Sequence, residues 1–261
     1  MAAPALRTLT EYLDEYLRIR EVPDEPNAVN GLQVENGSGQ VTRIIAAVDG
    51  SLATIEAAAG SRRGPGDSPL LLVHHGLLWD GNVALTGRRY RRVAALLRHD
   101  VAVYAAHIPL DVHPEVGNNA VLARQLGVLA ALPFDLYRGI PIGIQGVLEP
   151  AEPREQLAAR VERMLGAPAR LIAGGPPLAQ RIGVITGGAG GRIAAARAAG
   201  LDTYLTGEGA HHTYFDAMEL GVNVIYAGHY ATETVGVKAL AAHLAERFGL
   251  AWEFHDHPTG L

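Results

Sequence analysis

The residues with the clearest chemistry stand just after apolar runs. Residues 222–227 (Val-Asn-Val-Ile-Tyr-Ala) lead to Gly228 and His229, with Glu233 four positions further on. If 222–227 is a buried strand and a helix starts near Thr232, His229 falls in the turn at the strand's C-terminal end. Glu233 then falls in the first helical turn, and the two can act as metal ligands. Alone, the pair reads more simply as a capped or half-buried structural histidine. The pattern recurs, however: residues 101–106 lead to His107 with Asp111 four on, 69–73 to His74-His75-Gly76, and 203–205 to Thr206-Gly207-Glu208. Seven imidazoles and carboxylates thus fall at C-terminal strand ends, where open α/β sheets build their sites. That set is enough for two ions. Its mixture of nitrogen and oxygen donors suits Zn, Mn, Fe or Ni better than Mg or Ca. Paired ions would lower the pKa of bound water, as hydrolysis of phosphoryl, amide or ring C–N bonds near neutral pH requires.

Composition narrows the alternatives. With no cysteine among 261 residues, disulfides, Fe–S clusters, thiolate zinc sites and cysteine nucleophiles are excluded. A net charge of −5 gives no overall basic footprint for nucleic acid, and the local run Arg88, Arg89, Arg91 and Arg92 reads as the solvated face of a helix. No apolar run approaches the roughly 20 residues of a membrane span, and the N-terminus lacks the pattern of a signal peptide. A cytoplasmic location is expected.

The elements that must position these groups alternate between strand and helix. Thr8-Leu9-Thr10-Glu11 has the form of a capping box opening an amphipathic helix to about Arg20, with Leu9, Tyr12, Leu13, Tyr16 and Leu17 on one face. Asn30-Gly31 is a turn before residues 32–34. Strands are expected at 44–48, 69–73 and 101–106, with helices from about 52, over some 12 residues carrying Tyr90, Val93, Leu96 and Leu97, and near 120–126. The pattern loosens at 127–138, which sets the expected division between units 1–127 and 128–261. A second series follows: a strand at 143–148, a helix with Pro153 at its first position, strands at 181–185, 203–205 and 222–227, a helix at 232–247 packing back on the first unit, and an edge strand at 252–255. The fold class is therefore α/β, as two similar units with mainly parallel sheets and a metal site at the C-terminal strand ends between them.

Two internal matches support a repeat. Residues 43–48 resemble 181–186, each entering a small-residue turn and a helix. Ala105-Ala106-His107 through Asp111 likewise matches Ala227-Gly228-His229 through Glu233. The glycine-rich run Thr186 to Gly191, with Arg192 nearby, could cradle a phosphate, but it lacks the Lys-Ser/Thr of a P-loop and reads at least as well as a tight strand-to-helix turn. His211 and His212 could add a transient ligand but read better as a helix cap.

Taken in order, His74-His75-Gly76, His107 through Asp111 with Gly117-Asn118-Asn119, Thr186 through Gly190, Thr206-Gly207-Glu208 and Gly228-His229 through Glu233 resemble the Nif-three-like dinuclear metal-centre family, often labelled GTP cyclohydrolase I type 2 homologs. Asn30-Gly31-Leu32-Gln33-Val34-Glu35 fits that family's opening motif. The resemblance spans nearly the whole chain. It implies a toroidal homohexamer, two divalent transition-metal ions per chain (Zn, Mn or Fe), ligands at His74, His75, Asp111, His229 and Glu233, and places for His107 and Glu208 beside the metals, either to transfer protons or to support the ligands. The leading expectation is a metal-dependent hydrolase on a small molecule, with GTP ring opening as the implied reaction. A phosphoesterase acting on nucleotides or short nucleic acids, and a non-catalytic hexamer that delivers or senses metal, would need the same ligands.

Overall fold

The structure, a computed structural model, describes residues 3–261. Its first series of elements is α1 (Leu6–Tyr16), β1 (Gly31–Val34), β2 (Arg43–Asp49), α2 (Leu52–Gly60), β3 (Pro69–His75), α3 (Gly87–Arg98) and β4 (Ala102–Ala105), followed by the single-turn α4 (Ile108–Asp111). After α5 (Asn118–Gln125) comes a long hairpin, β5 (Leu129–Tyr137) and β6 (Ile140–Pro153). The second series is α6 (Arg154–Leu165), β7 (Arg170–Ala173), β8 (Leu178–Val184), α7 (Ile193–Ala198), β9 (Thr203–Thr206), α8 (Thr213–Leu220) and β10 (Asn223–Tyr226). The chain closes with α9 (His229–Phe248) and β11 (Ala251–Phe254). These make two compact units: the described residues up to Leu110 with Gly236–His257, and Asp111–Val235 with Pro258–Leu261.

The two series repeat one topology. The first sheet has the order β1-β4-β3-β2-β11, and the second β5-β6-β8-β9-β10-β7. In each, three consecutive parallel strands (β2, β3, β4 and β8, β9, β10) are flanked by an antiparallel strand beside the third, β1 or β7. A histidine follows the third strand in both cases, so the short sequence matches mark a whole repeated unit.

β2 and β3 are buried along nearly their full length, as central parallel strands covered on both faces must be. On one face of the first sheet, Ile45, Ala47, Leu71, Val73, Val103 and Ala105 pack with Ile55 and Ala58 of α2 and Leu96 of α3. Tyr104 points to the other face and donates to Asp14 of α1 at 2.8 Å, while Tyr16 of α1 stacks on His243 of α9 with ring centroids 4.3 Å apart. The buried Arg43 at the start of β2 pairs with Asp67 and with Glu253 of β11, and so anchors that edge strand. The second sheet is covered on both faces: Leu205 and Ile225 meet Leu122 of α5 and Leu157 and Val161 of α6, while Tyr204 and Val224 meet Ile193 and Ala196 of α7 and Ala217 of α8. Because Leu122, Ala123 and Leu126 pack in this core, α5 belongs to the second unit.

Several local expectations change. α1 opens at Leu6 after Ala5, with no side-chain cap, so Thr8 to Glu11 lie inside the helix and Glu11 instead pairs with Arg7. The second sheet is mixed, because β6 pairs antiparallel with both β5 and β8. β5 is not evident in the sequence because it lies at the sheet edge with an exposed face, where Pro133 costs no central ladder bond. In α3, Tyr90 and Leu97 face solvent, and the inward face is made by the buried Leu96 with the half-buried Val93, Arg89 and Arg92. α9 begins at His229 rather than near Thr232, because Gly228 turns the chain at φ +88° and the Thr232 hydroxyl donates back to its carbonyl.

Candidate metal centre

In the first unit, the sheet gathers three imidazoles. His74 and His75 are the last two residues of β3, and His107 follows β4, the neighbouring strand. Their ring centroids lie 4.7 Å (His74–His75), 5.1 Å (His74–His107) and 5.6 Å (His75–His107) apart, and one ligating nitrogen from each lies within 4.8 Å of the other two.

Each ring is oriented through Nδ1. His74 is fully buried, and its Nδ1 is 2.8 Å from the Ala106 carbonyl, which can only accept; Nδ1 therefore carries the proton and Nε2 the lone pair. His75 donates from Nδ1 to Asp49 at 2.8 Å, a residue directly opposite it in the β2–β3 register. His107 donates from Nδ1 to Asp24 at 2.7 Å. Burial pushes the Asp24 carboxyl up, but hydrogen bonds from His107, Asn30 and the Glu25 N–H outweigh it and hold the group below the ordinary carboxylate range. An outer carbonyl or carboxylate that fixes tautomer and ring direction is the usual support of a ligating histidine.

The opening motif supplies the scaffold for these rings. Asn30 accepts from the His107 backbone N–H at 2.7 Å and donates to Asp24 at 2.8 Å. The side chain of Gln33 accepts from the Leu77 N–H at 2.7 Å, fixing the chain just after His75; a Cβ on Gly76 would lie 2.2 Å from it.

In the second unit, His229 opens α9 and Glu233 lies one turn on, so the two share a helix face. Nε2 of His229 is 3.3 Å from Glu233 and Nδ1 is 2.8 Å from Glu208. With a carboxylate at each nitrogen, the imidazolium is favoured against the cost of burial, and its pKa rises to about 9. Glu233 contributes more than the nearer Glu208 because it is 3% exposed and Glu208 is 48% exposed, so water screens the latter.

Asp111 ends α4, and its carboxylate lies within 4.8 Å of that of Glu233. It accepts from Asn118 at 2.9 Å and from the Thr186 hydroxyl at 3.3 Å. Asn119 braces the same corner, donating to the carbonyls of Asp111 and Ile142 and accepting from the Thr186 N–H. The glycine-rich run serves close approach: at Gly187, with φ +69°, a Cβ would stand 2.3 Å from the Glu233 carboxylate and 3.4 Å from Nε2 of His229.

The expected residues thus gather as His74, His75 and His107 in one unit and as Asp111, Glu208, His229 and Glu233 in the other. His212 stands at the start of α8 without a side-chain cap bond, and both His211 and His212 are exposed. Sequence reasoning missed Asp49, Asp24 and Trp79. Asp49 could have been found by aligning the ends of neighbouring parallel strands, whereas Asp24 lies in a loop far from His107. The Trp79 ring meets His107 edge to face at 4.9 Å. The donor set, three oriented imidazoles in one unit and one imidazole with two nearby carboxylates in the other, fits divalent transition metals.

Two repeated α/β units, each with a histidine after its third parallel strand, define the class of protein. The chain belongs to the Duf34/NIF3 (NGG1p interacting factor 3) family, whose model matches residues 4–259. It is 47% identical over 253 residues to a Deinococcus radiodurans protein named GTP cyclohydrolase 1 type 2 homolog, covering 97% of this chain and 93% of that one. A Halobacterium salinarum protein of the same name is 41% identical, with 97% and 98% covered. Among solved structures, TTHA1606 from Thermus thermophilus superimposes with a TM-score of 0.88 at 40% identity, covering 99% of this chain and all of that one. A protein described as ybgI, of unknown function, gives 0.89 at 33% identity, with the same coverage.

Proposed function

We propose that the chain is a metal-dependent hydrolase that holds two divalent transition-metal ions, Zn, Mn or Fe, through His74, His75, Asp111, His229 and Glu233, with opening of the GTP imidazole ring as the candidate reaction. The observation that carries this reading is the fixed tautomer of His74, whose Nδ1–H donates to the Ala106 carbonyl and leaves the lone pair on Nε2, with His75 held the same way by Asp49. The curated relatives' shared name supports the choice of reaction. In this reading the molecule is a cytoplasmic homohexamer.

When bound, the ions supply Lewis acidity and lower the pKa of water. The chain's own residues do the rest. Asp49 and Ala106 keep their imidazoles aligned, and Asp24 holds a proton on Nδ1 of His107, so that Nε2 of His107 takes or returns a proton. Glu208 steadies His229 through Nδ1 and, being half exposed, exchanges protons through its carboxylate with substrate or solvent.

The test is turnover of GTP by metal-loaded protein, with the product identified. His107→Ala and Glu208→Gln should each lower turnover by about 10²–10⁴-fold while both ions are retained. A phosphate-ester product without ring opening would replace the reaction with phosphoester hydrolysis. Metal retention with no turnover of GTP or phosphoesters would favour the non-catalytic reading.

A further inference from the structure

The stretch that follows His75 carries three buried N–H donors with no hydrogen-bond acceptor among the described residues: Nε1 of Trp79, Nε of Arg89 and Nε of Arg92. A buried donor without an acceptor costs about 1–3 kcal/mol, so three on one segment require an explanation. Two are on the inward stripe of α3, three residues apart and one turn from the buried Leu96. α3 follows β3 through the loop 76–86, so its first turns stand at the C-terminal end of the sheet, where the histidines lie.

Arg89 is otherwise committed: its terminal nitrogens bond Asp80 and the carbonyls of Gly81 and Val83, which fixes that loop. Arg92 has no such partners among the described residues. Burial and the like charge of Arg88 disfavour its cation, and Asp80 and Asp49 offset this only in part. Arg88 and Arg91 beside it are exposed, and the first turn of α3 has no acidic residue. Asp80 pairs with Arg89 at 2.5 Å and lies 3.7 Å from Arg88, so one carboxylate faces four arginines and a net positive charge remains where the helix dipole is already positive.

We propose that Arg92, with the Trp79 indole that packs on the rings of His75 and His107 and with Arg88 and Arg91 at the rim, forms an anion subsite that takes the phosphate groups of the substrate. Guanidinium and indole N–H groups suit the several acceptor oxygens of phosphate. The subsite rests on the hydrolase reading for its place beside the metals, but its binding test does not require turnover.

The test is calorimetric titration of the metal-loaded full chain with pyrophosphate, inorganic phosphate, GTP and guanosine. Wild type, Arg92→Gln, Arg92→Lys, the exposed pair Arg88→Gln/Arg91→Gln, and Arg98→Gln as a charge-matched control would be compared, with metal content read on every sample. Pyrophosphate and GTP affinity should fall at least 10-fold in Arg92→Gln, less in Arg92→Lys and in the rim pair, and remain unchanged in Arg98→Gln. Metal content should stay constant, and guanosine should show no dependence on Arg92. Equal losses in Arg98→Gln would mean that bulk charge acts alone and would overturn the subsite. Loss of metal together with anion binding in Arg92→Gln would also overturn it, because Arg92 would then act through Asp49 and His75. If Arg92→Gln does not fold, an unchanged affinity in the rim pair and Arg92→Lys refutes the assignment. A wild type that holds no metal yet shows the Arg92 dependence contradicts the metal reading and leaves the subsite standing.

Discussion

At the scale of single residues, the candidate ligands were legible by type and their supports were not. His74, His75, His107 and His229 can be picked out because each stands at the end of an apolar run, and Glu233 because it lies four residues beyond His229. Asp49 is 26 residues from His75 and Asp24 is 83 from His107, so only the folded chain shows what orients those rings. Asp49→Asn should weaken metal affinity by about 10–100-fold with little change in fold, as read by competition with a chelator. An unchanged affinity would mean that Asp49 is a surface partner and no support. His229 makes a second prediction. Its pKa in the metal-free folded chain, about 9, lies above the ordinary histidine value of 6.5. The stabilisation it gives that form is therefore fully present below 6.5 and disappears as pH rises through about 9. A metal ion must displace the Nε2 proton, so uptake should release protons and affinity should climb across that same window. A flat affinity from pH 6.5 to 9 would argue that His229 is not a ligand.

At the scale of elements, the parallel strands were readable because buried central strands carry continuous apolar runs, as in β2 and β3. β5 was hidden because most of its side chains are exposed, and the four-residue β7 because it is too short to show a period. The start of α9 was misplaced because the turn depends on the conformation of Gly228, which composition does not reveal. With His229 inside the helix, the four-residue spacing to Glu233 becomes a shared face. The turn at Gly187 then has a specific burden. Gly187→Ala would force a methyl group to 2.3 Å from the Glu233 carboxylate at a positive φ. It should lose metal as severely as a ligand substitution while keeping its circular dichroism spectrum; full metal occupancy would show that the backbone there has room to shift.

At the scale of the whole molecule, the repeated topology explains why the chemistry recurs in the sequence. Each series builds helix, edge strand and three parallel strands, and each delivers a histidine after the third. What diverged is the set of supports: carbonyl and Asp partners around three imidazoles in one unit, and carboxylates with asparagine and threonine in the other. The residue pattern conveyed that the repeat exists, but which side chains hold its site depends on long-range pairing. Elemental analysis of the purified chain beside Glu233→Ala tests the central claim most directly. The account predicts about two transition-metal ions per chain in the wild type and their loss in a variant that remains folded. A wild-type protein that is metal-free and takes up no Zn, Mn or Fe when supplied, or a Glu233→Ala variant that keeps both ions, would contradict it.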